Sequence, residues 1–483
     1  MSEKPEIEEK EDEGNITSPE KCSDEEIRNF QEEPGDDDGE NRKPTTHNSM
    51  MYTALVILKG TIGAGILNLP LIIRTYGIIG GITVTGLLTI ISIVVAYLIG
   101  RSKEISQRYS FAVYSKIAMG VTGSVFLKVS LFVMCCTLAI VQLMVFGDVL
   151  KGLALLFCNL NERYFIIGIA IVILPFMFQK DISGVTKIAY FGIIGLSIFC
   201  VTTIILFFKK YINGQIIFNK SMLFPTKSVT FREKLTLIGG YYNAFTFHFS
   251  YFSYYLPLKP RNTKTMMKSV LIGTFLAASI YYLYGVLFFL MYGDSITDSA
   301  LKYLQKELQE SKGKDIVTVI ILVICFLSFL VNASISTMIH FYFGKTHFIG
   351  LIKFVYAKLT EKKENKDIPL VDIDENRKFS DDVQSIQKKE SEDIISDKKK
   401  YIITFGLYSF VVLMASTFKK IIILDNFNGS TVANYINLIA PSFFFLYFAR
   451  KKNCFKDKLM ASSVLLFGVG LILMYIVFNF ILN

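Results

Sequence analysis

Apolar residues in this chain come in blocks of roughly 20, separated by short polar stretches, from residue 51 to residue 482. A helix of that length crosses about 30 Å of hydrocarbon. Backbone N–H and C=O groups find no water there, so each block must be a helix that satisfies them internally. The pattern predicts eleven spans, at 51–73, 77–99, 123–158, 163–179, 186–208, 235–257, 267–292, 316–343, 401–420, 429–448 and 459–482. The third block is longer than one crossing needs, so it is tilted or runs past the membrane. Two segments lack the pattern. Residues 1–48 hold 17 acidic and six basic residues and predict a disordered acidic tail. Residues 344–400 mix Lys, Glu, Asp and Ser and predict a mobile linker between spans one to eight (49–343) and spans nine to eleven (401–483).

Composition agrees with an all-α polytopic membrane protein. The chain is 52% hydrophobic and 19% charged, with a mean hydropathy of +0.44, too apolar for a soluble globule of 483 residues. Its basic excess lies in loops between apolar spans, which argues for membrane topology rather than nucleic-acid binding. With the N-terminus, and so the acidic tail, in the cytosol, the basic loops 100–120, 258–268 and 449–458 and the linker 344–400 are all cytosolic. One loop runs against this scheme. Residues 209–234 carry Lys209, Lys210, Lys220, Lys227, Arg232 and Lys234 on the opposite side. The same loop holds the glycosylation sequon Asn219-Lys220-Ser221, which requires a lumenal or external face. The plasma membrane and an acidic organelle (vacuole or lysosome) both fit. No metal-ligand cluster, phosphate loop or nucleophile with a positioned base is legible, so neither an enzyme nor a bound cofactor is expected.

The candidate chemistry sits in two spans. The first reads Leu58-Lys-Gly-Thr-Ile-Gly-Ala-Gly-Ile-Leu-Asn-Leu-Pro70. Gly costs a helix interior about 1 kcal/mol against Ala, and Pro more. A helix broken at mid-membrane frees N–H and C=O groups that can hold a carboxylate and a cation. Close helix packing through small residues explains Gly60, Gly63 and Gly65 equally well. The sixth span shifts that balance, because it too is interrupted, from Gly239-Gly240 through Phe245, Thr246, Phe247 and His248 to Pro257. Paired broken segments five spans apart point to an inverted-repeat transporter.

At these residues the chain resembles the amino acid/auxin permease family, which includes the proton-coupled and small-neutral amino-acid transporters. Leu58 to Pro70 is similar to that family's first-helix signature. Gly147-Asp148, Pro175 to Ile182, and Met266 to Ser269 with Tyr292-Gly293-Asp294 resemble further motifs in the same order. The resemblance implies a LeuT-like fold of five plus five inverted spans, with the eleventh appended. It implies a substrate site at Gly60, Thr61, Ile62, Gly63, Ala64 and Gly65, facing Phe245, Thr246, Phe247 and His248. It also implies that hydroxyls of the eighth span, Ser334, Ser336 and Thr337, surround a cation site near Lys59. Three positions depart from the family. Val56 stands where the proton-coupled branch has His, Lys59 where the sodium-coupled branch has Asn, and Pro257 where a Glu is usual.

Lys59 lies about 12 Å into the span. An ammonium at that depth either replaces a sodium ion, leaving protons as the driving ion, or snorkels to the interface. His248 can titrate near neutral pH and could carry the proton, or serve as a neutral core residue. The expected partners are an amino acid, small or neutral because no acidic side chain is seen at the site, a coupling proton or sodium ion, and the lipid bilayer. A sensor with vestigial transport, or the same fold carrying another solute, are the alternative readings.

Overall fold

The computed structural model describes residues 48–158, 161–178, 183–216, 218–225, 229–364, 396–418 and 420–481. The acidic tail up to residue 47 and residues 365–395 of the expected linker lie outside them. The described chain is helical. In order, α1 is Met50–Thr61, α2 Leu69–Ser106, α3 Phe111–Ala154, α4 Glu162–Met177, α5 Ser183–Ile212, α6 Phe231–Asn243 and α7 Tyr251–Tyr255. They are followed by α8 Thr263–Tyr292, α9 Ala300–Ser311, α10 Ile316–Glu364, α11 Asp397–Thr417, α12 Ile421–Ser430, α13 Val432–Asn434, α14 Ala440–Phe448 and α15 Phe455–Ile476. Short polar side chains cap several starts. Ser49, Asn161 and Asn262 each accept a first-turn N–H, and Thr230 with Glu233 forms a capping box on α6.

Among the described residues, 8 helices are long and apolar enough to cross a membrane. Eleven were expected, and the shortfall has a physical cause. The first and sixth expected spans are each divided into shorter helices, and α4 has only 16 residues. The second half of the first span also runs into α2 without a loop. The two rods meet at Gly77, whose φ of 72° and ψ of 170° leave the helical region. Only glycine fits there, because the Phe224 backbone occupies the space a Cβ would take. Gly120, with φ 67°, similarly divides α3, but it lies ahead of the long third block at 123–158, which runs on as one rod to Ala154. The expected tenth span starts at Ile421 rather than at 429, and α10 continues to Glu364, past the expected end at 343.

The bundle packs α10 along α3 and α5, α8 along α1 and α2, and α12 along α6. Its core is mostly aliphatic and aromatic, with Phe146, Phe199, Tyr242, Phe245 and Phe288 fully buried. The amphipathic helix α9 was not foreseen. It lays Leu301, Leu304 and Leu308 against the bundle, and its Gln305 Nε2 donates to the Asp148 carbonyl at 2.5 Å. The same side holds partners for two charges of the loop that resisted the topology scheme. Lys209 Nζ lies 2.5 Å from Asp315 Oδ2, and Lys210 Nζ 2.6 Å from Glu307 Oε2. The Lys209 ammonium, followed by the Thr318 hydroxyl and N–H, pulls the Asp315 carboxyl down to about 2. Asp315 therefore stays ionised, and the two ion pairs offset part of the positive charge that the loop's composition suggests.

Candidate functional site

The helix of the first span stops at Thr61. Ile62 is extended, with φ −83° and ψ 103°, and Gly63 follows at φ −119° and ψ −149°. The chain re-enters a 3-10 turn at Ala64–Asn68 and continues as α2. The first N–H groups of that turn have no acceptor within the helix. The sixth span breaks between Asn243 and His248: α6 ends, Thr246 and Phe247 are irregular, and a 3-10 turn at His248–Ser250 leads into α7. The β-branched and aromatic run from Tyr241 to Phe249 has low helix propensity, and the Thr246 hydroxyl bonds back to the Asn243 carbonyl at 2.7 Å.

The two breaks lie against each other. A Cβ on Gly65 would sit 3.1 Å from Ala244 Cβ, so glycine is what permits the approach. The Tyr281 hydroxyl, on α8, lies 2.8 Å from both the Thr61 and the Ala244 carbonyl oxygens. One hydroxyl proton thus serves a released carbonyl from each broken helix. Thr61, Ile62, Ala64, Phe245, Thr246, Phe247 and His248 are buried, while Gly63 and Gly65 are half-buried and Gly60 is exposed. The Tyr254 hydroxyl packs into the space a side chain at Gly60 would need. Two residues that sequence reasoning missed complete this region. Gln142 on α3 is 2% exposed, its Nε2 lies 3.8 Å from the Gly63 Cβ position, and its Oε1 has no hydrogen-bond partner. Tyr281 is the other.

Lys59, in the last turn of α1, crosses to α10. Its Nζ lies 2.6 Å from Asn332 Oδ1 and 3.4 Å from Ser336 Oγ. Of the three hydroxyls expected around it, only Ser336 bonds to it. Ser334 and Thr337 donate instead to the carbonyls of Leu330 and Ala333 on their own helix, the usual resting place for a helical hydroxyl in a dry environment. Asn332 takes the principal role, and its position on α10 could not be read without the fold. Gly192 on α5 closes the site, because a Cβ there would lie 2.9 Å from Lys59 Cε.

His248 does not face the gap between the breaks. Its Nε2 lies 2.8 Å from the Ser92 carbonyl on α2, and its ring stacks on Phe247 at 4.4 Å. That contact makes Nε2 a protonated nitrogen and leaves Nδ1 as the ring's remaining acceptor. Ser92 Oγ bonds the Phe245 carbonyl at 3.2 Å, so the pair fastens the sixth-span break to α2. Asn219 is exposed at the start of a short 3-10 turn, and its Oδ1 accepts the Ser221 N–H at 3.0 Å.

A further polar cluster lies just beyond the first break. Asp425 on α12 is 3% exposed and accepts from Asn68 Nδ2 at 2.5 Å. The Asn243 side chain also bonds it, and Asn428 Nδ2 in turn donates to Asn243 Oδ1 at 3.3 Å. Gly65, Asn68, Leu237, Tyr241, Asp425 and Asn426 line a small cavity there. The sequence pattern left 421–428 as a loop, since Asp425, Asn426 and Asn428 lower its hydropathy, and so hid this acid.

A family model matches this chain over most of its length, and individual known proteins match 50–64% of it. The family described as transmembrane amino acid transporter protein matches residues 46–482. The amino acid transporter AVT6C of Arabidopsis thaliana is 23% identical over 58% of this chain and 69% of its own length. Amino acid transporter AVT6D of the same plant is 23% identical over 64% of this chain and 74% of its own. AVT6B is 22% identical over 50% of this chain and 56% of its own.

Proposed function

We propose that this chain, which belongs to the transmembrane amino acid transporter family, is a secondary active carrier of small or neutral amino acids driven by protons. The observation that carries the reading is the meeting of the two broken helices at Tyr281, Gly65 and Ala244. A free amino acid presents a carboxylate and an ammonium a few ångströms apart. The first N–H groups of the turn after Gly63, which have no acceptor within it, suit the first, and the carbonyls of Thr61 and Ala244 suit the second. The close approach at Gly65 and Ala244 leaves little space beside the backbone, which favours small side chains. Alternating access around the breaks, with five spans related to the next five, is the mechanism this geometry supports best.

Proton coupling rests on Lys59. Its ammonium, held by Asn332 and Ser336, occupies polar oxygens that could otherwise ligate a sodium ion. A carrier with a tethered cation there needs another driving ion. The distribution of basic loops supports a cytosolic N-terminus, the sequon at Asn219 supports an external face for its loop, and the plasma membrane and an acidic organelle both fit the reading.

Purified protein in liposomes tests the reading. Labelled amino acids are offered under a proton gradient, a sodium gradient or neither. Accumulation under the proton gradient alone is the expected result. Accumulation that requires sodium overturns the Lys59 argument. Binding without movement under every gradient overturns transport itself and turns the protein into a sensor.

A further inference from the structure

We propose that Asp425 takes up the coupled proton within the cluster it forms with Asn68 and Asn243. The inference rests on the proton-driven reading above and names the group that such a reading lacks. His248, the residue the sequence offers for that role, is held to α2 by its Nε2 on the Ser92 carbonyl and stacked on Phe247, so that only its buried Nδ1 is left for a proton.

Three observations converge on Asp425. First, it is a carboxyl group buried within a helix long and apolar enough to cross a membrane. Acids in such places are costly, and their retention marks an ion pathway. Second, no cation compensates it among the described residues. Its partners are the neutral amides of Asn68 and Asn243. These amides stabilise a charge by hydrogen bonding but do not cancel it. Third, the cavity beside it is rich in acceptors. Asn68 Oδ1 and Asn426 Oδ1 both lack hydrogen-bond partners. Acceptors without donors around a carboxyl suit an added proton, which turns Asp425 from an acceptor into a donor.

The surroundings leave Asp425 as the titrating centre. Elements α3, α6, α13 and α15 pack against α12. On α6, Tyr241 lines the same cavity, Arg232 bonds the Phe478 carbonyl, and Glu233 serves the capping box. Lys234 sits beside them in the first turn, and the Tyr242 hydroxyl bonds the Asn437 carbonyl. On α3, Lys128 is sensed by His347, Lys151 pairs with Glu162, and Asp148 lies among Glu162, Lys302 and Asp298. Cys135 and Cys136 on α3 are buried thiols, and Lys116 lies near its start. On α15, Asp457 pairs with Arg101, Lys458 bonds the Arg450 carbonyl, Lys456 starts the helix and Tyr475 touches Phe427. Tyr281 on α8 senses Asp425 electrostatically. The link to transport is short: Asn68 ends the 3-10 turn that begins at Ala64, so the proton acts on the segment that holds the substrate.

The test uses full-length protein in liposomes with a trapped pH dye and a mixture of all labelled proteinogenic amino acids. Asp425→Asn is expected to lose substrate-driven proton entry at least about tenfold, while counterflow without a gradient continues at a reduced rate. Asp425→Glu is expected to restore proton entry. Proton entry in Asp425→Asn within about twofold of the unmodified protein overturns the proposal. Should Asp425→Asn lose counterflow as well, infrared titration decides. A protonated-carboxyl band that Asn68→Ala displaces supports the assignment, and a spectrum with no band that Asn68→Ala displaces overturns it. Unmodified protein that moves amino acids with sodium and no protons refutes the proton-driven reading itself, a result separate from retention of proton entry in Asp425→Asn.

Discussion

Lys59 Nζ lies 2.6 Å from Asn332 Oδ1, joining the end of α1 to the middle of α10. A hydrogen bond to a charged group contributes about 1.5–3 kcal/mol, roughly a tenfold effect or more. Lys59→Asn is therefore expected to lose most sodium-independent accumulation and to regain part of it when sodium is added. Lys59→Met, which brings no oxygen, is expected to show the loss without the recovery. Unaltered transport and ion dependence in Lys59→Asn would remove Lys59 from the mechanism.

Tyr281 serves a released carbonyl on each broken helix, so Tyr281→Phe frees both at once. The two carbonyls share one hydroxyl proton, whose net contribution is about 1 kcal/mol, so the half-saturating substrate concentration is expected to change by about fivefold, with folding retained. The direction separates two roles. A rise means that Tyr281 holds the breaks in the binding geometry, and a fall means that it competes with the substrate's ammonium. No change in either transport or binding discards the contact.

The Tyr254 hydroxyl fills the space beside Gly60, with its ring carbon 3.4 Å from the position of an added Cβ. Gly60→Ala is expected to destabilise by about 1–3 kcal/mol through overpacking. Tyr254→Phe removes the offending oxygen and leaves ordinary contact behind. The double variant should therefore melt higher in detergent than Gly60→Ala alone. Additive losses would show that Gly60 is needed for its backbone rather than for its lack of a side chain.

His248→Gln tests the strut between the sixth-span break and α2. A glutamine amide can donate to the Ser92 carbonyl as the imidazole Nε2 does, so transport and its pH profile are expected to survive. His248→Ala, which deletes that hydrogen bond and the buried ring that stacks on Phe247, is expected to lose about 1–3 kcal/mol of stability. A flattened pH profile in His248→Gln would return the proton to His248.

Much of this architecture was legible in the sequence, and what was missed has a common cause. Glycines at 60, 63 and 65 before Pro70, and Gly239 through Pro257, located both helix breaks, because weak helix formers act locally. Lys59 stood out because charge inside an apolar block is visible without a fold. Its partner Asn332 did not, since an amide on an apolar helix gives no sign of what it faces. Asp425 was hidden by its own chemistry. Together with Asn426 and Asn428 it lowers the hydropathy of α12, so a hydrophobic-window reading assigns a buried helix to a loop. Helix α9 escaped for a similar reason: its Leu301, Leu304 and Leu308 stripe covers one face of a polar segment. The charges at Lys209 and Lys210 looked exposed until Asp315 and Glu307 were brought beside them.

The unequal lengths of the helices bear on how the chain is made. Among the described residues, 8 helices offer an insertion apparatus a long apolar window, and the first of these begins at Ala64. The 12 residues of α1, the 16 of α4 and the 13 of α6 do not offer one on their own. Those three segments must enter the bilayer by leaning on neighbours already there. For α1 that neighbour is α8, synthesised some two hundred residues later. The two helix breaks are thus brought together late in biogenesis, and a chain truncated before α8 would leave its first helix without the surface it packs against.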